Sequence, residues 1–139
     1  MKVCFLVLYF VPFIYIVFFA RRRQHIENRF VNLVPVRNFY SYYHDATHDT
    51  FYNFYSNLLG NVILFLPLPF ILFLIVKVKK TSTVILLGFL LSFMIELLQS
   101  IFVIGVSDID DILLNTFGTS IGAVICKSYM RLKSRRMYI

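Results

Sequence analysis

Charge is scarce in this chain: 15% of its 139 residues are charged, while 59% are hydrophobic and the mean hydropathy is +0.75. A free globular domain of this length carries more charge, so that class is excluded. No glycine-rich phosphate loop and no Ser/His/Asp or Cys/His constellation is visible. There are only two cysteines, Cys4 and Cys126, at opposite ends of the chain. In the orientation derived below both fall on the reducing side, which argues against a structural disulfide. No internal repeat or low-complexity linker appears, and there is no room for a second core, so residues 1–139 read as a single domain. The net charge of +7 would suit nucleic acid, but the Lys and Arg residues stand at the ends of apolar runs. Topology explains that placement, and no nucleic-acid partner is expected.

What is abundant is long apolar sequence. The first run, Val3 to Ala20, is long enough to cross a bilayer core. It is too long for the apolar core of a signal peptide, and Phe18 occupies a position where cleavage needs a small residue, so an uncleaved helix is expected, kinked at Pro12. Arg21 to Phe54 is the one substantial loop. It opens on Arg21, Arg22 and Arg23 and ends in an aromatic tract, Phe39 to Tyr55, in which eight of seventeen residues are Phe or Tyr. Alternating aromatic and polar groups suit the headgroup layer, so this loop is expected on the membrane surface, with Pro35 preventing one unbroken helix. Further spans are expected at Ser56 to Val76 (bent by Pro67 and Pro69), Thr81 to Ile104 and Ile112 to Tyr129, with an acidic turn, Gly105 to Asp111, before the last. The fold class is therefore all-α, a polytopic integral membrane bundle of about four transmembrane helices.

Four spans put both termini on one side. That side holds Lys2, Lys77, Lys79, Lys80 and the basic tail (Lys127, Arg131, Lys133, Arg135 and Arg136), against Arg21, Arg22, Arg23, Arg29 and Arg37 on the other. The excess places both termini, and the tail 127–139, in the cytoplasm of a cell-membrane protein. The Arg triplet after the first span is the dissenting feature.

Ionisable groups within the hydrocarbon layer cost roughly 2.5–3.5 kcal/mol each, so their positions carry the functional signal. Gly88, Ser92, Glu96 and Gln99 share one face of the third span, and Asp108, Asp111, Asn115, Gly118 and Gly122 share one face of the fourth. In the second span Asn57, Gly60 and Asn61 do the same, with Asn53 one turn earlier. Lipid satisfies none of these groups, so the stripes should face one another, gathering Asn57, Asn61, Glu96, Gln99, Asp108, Asp110, Asp111 and Asn115 in the outer leaflet. Gly118 and Gly122 form a small-xxx-small pair that permits close backbone approach. Plainer roles compete. The Asn and Gly residues would serve as interhelical glue, Asp108 as an N-cap, and Asp110 and Asp111 as first-turn partners of the helix dipole. Glue needs no carboxyl as deep as Glu96, which points to a functional role there.

These residues resemble the VanZ-like family of small membrane proteins, whose namesake is associated with teicoplanin resistance. The resemblance rests on Asn32-Leu33-Val34-Pro35, on Asn57-xx-Gly60-Asn61 followed by Phe65-x-Pro67, and on Glu96-xx-Gln99. It is completed by Asp108-Ile109-Asp110-Asp111-xxx-Asn115-xx-Gly118-xxx-Gly122, and covers about residues 28–127. Two departures stand out. The family often carries an arginine just before the acidic cluster, where this chain has Val106-Ser107, and Pro-x-Gly where this chain has Pro67-Leu68-Pro69. Arg29 or Arg37 is the available substitute for the missing arginine. The resemblance implies a bacterial cell-envelope role, lowering the access of glycopeptide or lipoglycopeptide antibiotics to the surface.

Two functional readings follow. In the first, a non-enzymatic protein uses an outer-leaflet polar cavity, lined by Asn57, Asn61, Glu96, Gln99, Asp108, Asp111 and Asn115, to bind or shield an amphiphilic or lipid-linked molecule. In the second, a small membrane enzyme acts on a lipid headgroup, with Glu96 as general acid or base and the Asp cluster holding Mg²⁺ or Ca²⁺, the ions that oxygen ligands suit. A small permease with Glu96 carrying protons is a third, weaker reading. His44 and His48 stand four apart as in a zinc helix, but the intervening acid is Asp45 and no third ligand is near, so no metal site is assigned. Membrane lipids are the expected surroundings in every case, and no cofactor is required by the first reading.

Overall fold

The computed structural model describes residues 2–19, 31–32, 48–103 and 107–136. Helix α1 (Lys2–Ile14) passes into a π-helical segment at Tyr15–Phe19. A two-residue strand β1 (Val31–Asn32) precedes α2 (His48–Phe65). A short α3 (Leu68–Phe70) and a second π-helical segment, Ile71–Ile75, complete the second span. Then come α4 (Thr81–Phe102), strand β2 (Ser107–Asp108) and α5 (Ile109–Arg136). Among the described residues, four helical stretches are long and apolar enough to cross a membrane: Lys2–Phe19, Tyr55–Ile75, Thr81–Phe102 and Ile109–Arg135.

The packing is that of a bundle bathed in lipid. Large apolar side chains such as Leu86, Phe93, Leu97 and Phe117 are exposed, while Ser92, Glu96, Gln99, Asn115 and Thr119 are buried. A soluble protein does the reverse; in hydrocarbon only polar groups need the interior. Helix α5 packs on both α2 and α4. A side chain at Gly118 would run into the Val62 carbonyl oxygen, and one at Gly122 into that of Leu66. Both pairs advance together, so α2 and α5 are parallel and in backbone contact, as small residues four apart allow. On the α4 side, a Cβ at Gly88 would stand 2.5 Å from Thr119 Oγ1, and here the helices are antiparallel. Apolar layers lie above and below: Phe13, Val17, Phe65, Leu68 and Ile95 toward one end, and Phe73, Val84, Ala123 and Cys126 toward the other. At that second end Lys127 donates to the Lys79 carbonyl (3.2 Å) and lies 5.2 Å from the Phe73 ring centroid.

The prolines act where the sequence places them, and more sharply in the second span. Pro67 and Pro69 supply no N–H to the turn before them, so α2 stops at Phe65 and the chain restarts at Leu68. The break is tied to the first span by the Tyr9 hydroxyl, which donates to the Leu64 carbonyl at 2.9 Å. Tyr9→Phe is expected to lower stability by about 0.6–1.5 kcal/mol, the range for one hydrogen bond in a membrane bundle, read by unfolding in mixed detergent micelles.

Several boundaries differ from those expected. The second span, Tyr55–Ile75, lies where expected, and α2 extends back from it to His48. Helix α4 ends at Phe102 because Val103 adopts a left-handed conformation (φ 55°), its N–H closing on the Gln99 carbonyl. The expected acidic turn is in fact shorter: α5 starts at Ile109, and Ser107-Asp108 pairs in parallel with Val31-Asn32. This small pairing is an addition to the expected all-α bundle. Helix α5 also runs through Arg136, so the basic tail continues the helix. Residues 39–47 of the aromatic tract, with Pro35, Arg29, Arg37 and His44, lie outside the described residues, as do the side chains of His48 and Asn53, while His48–Tyr55 of that tract is helical in α2.

Candidate functional site

At one end of the bundle the first span finishes, α2 begins, α4 finishes and α5 begins, and the polar residues of these elements meet there. The centre is Glu96, 3% exposed. At about 1.5 Å of rise per residue it lies roughly 9 Å inside the end of α4. Its Oε2 accepts the backbone N–H of Asp108 at 3.0 Å. Asp108 immediately precedes α5, and its Oδ1 in turn accepts the Asp110 N–H at 3.0 Å, which makes it the N-cap. In an ordinary capping box the third residue of the same helix reaches back to the N-cap N–H. Here that residue is Asp111, which faces elsewhere, and Glu96 of α4 takes its place. The carboxyl therefore sits at the positive end of the α5 dipole, a favourable position for an anion.

Asp111 turns toward α2. Its Oδ1 accepts from Asn57 Nδ2 (3.1 Å) and Asn61 Nδ2 (2.6 Å), and Asn61 also approaches Asn57 Oδ1 at 3.5 Å. Asp108 Oδ1 accepts a further hydrogen bond from Asn32 Nδ2 at 3.1 Å, so β1 is held to the start of α5 by a side chain as well as by backbone pairing. One turn deeper, Asn115 Nδ2 donates to Ser92 Oγ at 2.8 Å. Gln99 Nε2 donates to the Val17 carbonyl at 2.9 Å, tying α4 to the end of the first span.

Of the seven residues of the expected binding set, hydrogen bonds join Asn57 and Asn61 to Asp111 and Glu96 to Asp108, while Gln99 bonds Val17 and Asn115 bonds Ser92. The structure adds plain roles to several. Asp108 is a cap, Asn57 and Asn61 join α2 to α5, and Ser92 and Asn115 join α4 to α5. Asp110 is buried in the first turn of α5. The sequence pattern did not single out Asn32 as a partner of Asp108, although Asn32 opens the Asn-Leu-Val-Pro element; only the pairing of β1 with β2 connects them. Thr119, fully buried, was also missed. Its hydroxyl bonds the Asn115 carbonyl at 2.9 Å and its side chain fills the space that Gly88 leaves.

Gln99 Oε1 and Asn115 Oδ1 are buried and have no hydrogen-bond partner among the described residues. Most such groups are partnered in a folded protein. As for a cation, no group of three or more His, Cys, Asp or Glu among the described residues is arranged to hold a metal ion. The Asp108 and Asp111 carboxyls are directed to different asparagines, on β1 and on α2 respectively.

Comparison with curated proteins and with solved structures gives no match. The family model described as VanZ/LLP1, however, matches residues 3–132, almost the whole chain. With four spans in the fold and that match across them, the chain belongs to the VanZ/LLP1 family and is a multi-pass membrane protein.

Proposed function

We propose that this protein works in a bacterial cell membrane, with both termini cytoplasmic, and lowers susceptibility to glycopeptide or lipoglycopeptide antibiotics. It does so by binding or shielding an amphiphilic or lipid-linked molecule at the polar end of the bundle. The observation that carries this reading is the meeting of side chains from α2, α4 and α5 around Glu96 at one end of the spans. The excess of Lys and Arg at the other end supports an outward-facing site. Binding is favoured over headgroup chemistry because Glu96 Oε2 is engaged as the acceptor of a helix-capping hydrogen bond.

The test is expression in a susceptible Gram-positive host, with teicoplanin inhibitory concentration measured against a vector control. The wild-type protein is expected to raise that concentration, and Asp111→Asn, which removes the charge between Asn57 and Asn61, to abolish most of the rise at equal membrane abundance. No rise with well-inserted wild-type protein contradicts the proposal. Lipid turnover by purified protein that requires Mg²⁺ and is lost in Glu96→Gln would replace it with the enzymatic reading.

A further inference from the structure

We infer that the basic end of the bundle, opposite the polar site, is a binding surface for the headgroups of anionic phospholipids; this stands apart from whatever the polar end does. The first observation is an imbalance of charge. Nine of the 14 Lys and Arg residues belong to this end: Lys2, Lys77, Lys79, Lys80, Lys127, Arg131, Lys133, Arg135 and Arg136. None of the seven acids does. Glu96, Asp108, Asp110 and Asp111 stand at or just inside the polar end, and Asp49 lies in the first turn of α2 there. Glu27 and Asp45 lie outside the described residues, but they are four residues from β1 and three from α2, both at the polar end. Covalent reach keeps them within roughly 14 Å of those anchors. The 22 residues of α4 separate the two ends by about 33 Å, so no Asp or Glu comes near the basic end.

The second observation is how the cations are arranged. Lys127 donates to the Lys79 carbonyl, which sets α5 level with the lysine turn at that residue. Beyond it α5 continues for nine residues to Arg136, roughly 13 Å further, enough to cross a headgroup layer about 5–8 Å deep. Arg131 and Arg135 follow Lys127 at steps of four, so they share the face it turns to the lysine turn. The turn is the floor and this row the wall of one cationic corner, in which Lys77, Lys79, Lys80, Arg131 and Arg135 are exposed. Tyr129 and Leu132 are exposed on the same extension. An aromatic and a leucine among cations suit the boundary between headgroups and acyl chains, and favour a lipid over a soluble polyanion.

Lys77 adds a third point. Its backbone is left-handed (φ 64°), and the next residue, Val78, closes its N–H on the Leu72 carbonyl at 2.9 Å. Glycine takes such a position at a helix end without strain. The turn itself has no need of a lysine there, whereas an anionic partner does. Choline and ethanolamine heads bring a cation with their phosphate, so it is the net-negative head that this corner attracts.

The experiment uses the full chain in nanodiscs of equal parts phosphatidylglycerol and phosphatidylcholine, with the lipids retained after partial delipidation read by native mass spectrometry. Phosphatidylglycerol is expected to be retained about tenfold over phosphatidylcholine. The triple variant Lys79→Gln, Arg131→Gln, Arg135→Gln is expected to lose that preference while its unfolding temperature in neutral detergent holds. Lys77→Gly is expected to unfold no lower than the wild type and to retain about threefold less phosphatidylglycerol. Should the triple variant fail to fold, Lys77→Gly decides. Equal retention of the two lipids by the wild type, or a preference unchanged in both variants, overturns the inference. A preference lost in Glu96→Gln and kept in the triple variant moves the lipid to the polar end and overturns it as well. Displacement of the lipid by inorganic phosphate overturns the lipid assignment in favour of a soluble anion.

Discussion

Gly122→Leu is expected to prevent stable assembly of the bundle, with a loss of about 3 kcal/mol or more. The position of a Cβ at Gly122 is already taken by the Leu66 carbonyl oxygen, with Pro69 Cγ at 3.1 Å behind it. That obstacle is backbone, stiffened by the proline break, so it cannot rotate aside as a side chain would. Inserting a leucine there must drive α5 away from α2, which also separates Asp111 from Asn57 and Asn61. Gly118→Leu meets the Val62 carbonyl and should behave alike. Gly60 supplies the control. Among the described residues nothing lies within 4 Å of its Cβ position, so Gly60→Ala should be neutral or stabilising by about 0.5–1 kcal/mol through helix propensity. Thermal unfolding in detergent, with protease resistance as a second readout, checks all three. Wild-type unfolding for Gly122→Leu would mean that the two helices are not in backbone contact.

Glu96→Ala carries the second large effect, and the contrast with Glu96→Gln explains why. Alanine removes the acceptor for the Asp108 N–H, leaving a buried donor without a partner at the start of α5 and a void in the interior. The expected cost is about 2–3 kcal/mol. Glutamine keeps an acceptor oxygen of the same reach, so the cap and the fold should survive and only the charge is lost. If both substitutions unfold the protein equally, the carboxylate itself holds the helices together. If neither does, the contact of Glu96 with the α5 N-terminus is incidental.

The polar interior was legible in the sequence because helical spacing alone assigns faces. Gly88, Ser92, Glu96 and Gln99 recur at steps of four, four and three, and all four are buried in α4. Nothing but an interior partner satisfies such groups in lipid, so face assignment amounted to contact assignment for α4 and α5. The partners of individual atoms were less accessible. Gln99 bonds the backbone carbonyl of Val17, 82 residues away, and a carbonyl carries no sequence signature. Asn32 reaches Asp108 across 76 residues through a two-residue strand too short to show a period-two pattern. The role of Glu96 as the missing member of a capping box could not be read from α4 at all, because it depends on where α5 begins. That helix begins at Ile109 rather than near Ile112, with Asp108 as its cap, and no pattern within α4 marks Glu96 as the acceptor of the Asp108 N–H.

The most direct test of whether the polar end acts or merely holds is Glu96→Gln measured on two axes, antibiotic susceptibility of the expressing cells and unfolding of the purified protein. The expected result is a normally inserted, normally stable protein whose cells are as susceptible as the vector control. Full protection by the same well-folded variant would contradict the account and leave the buried carboxyl as a structural cap.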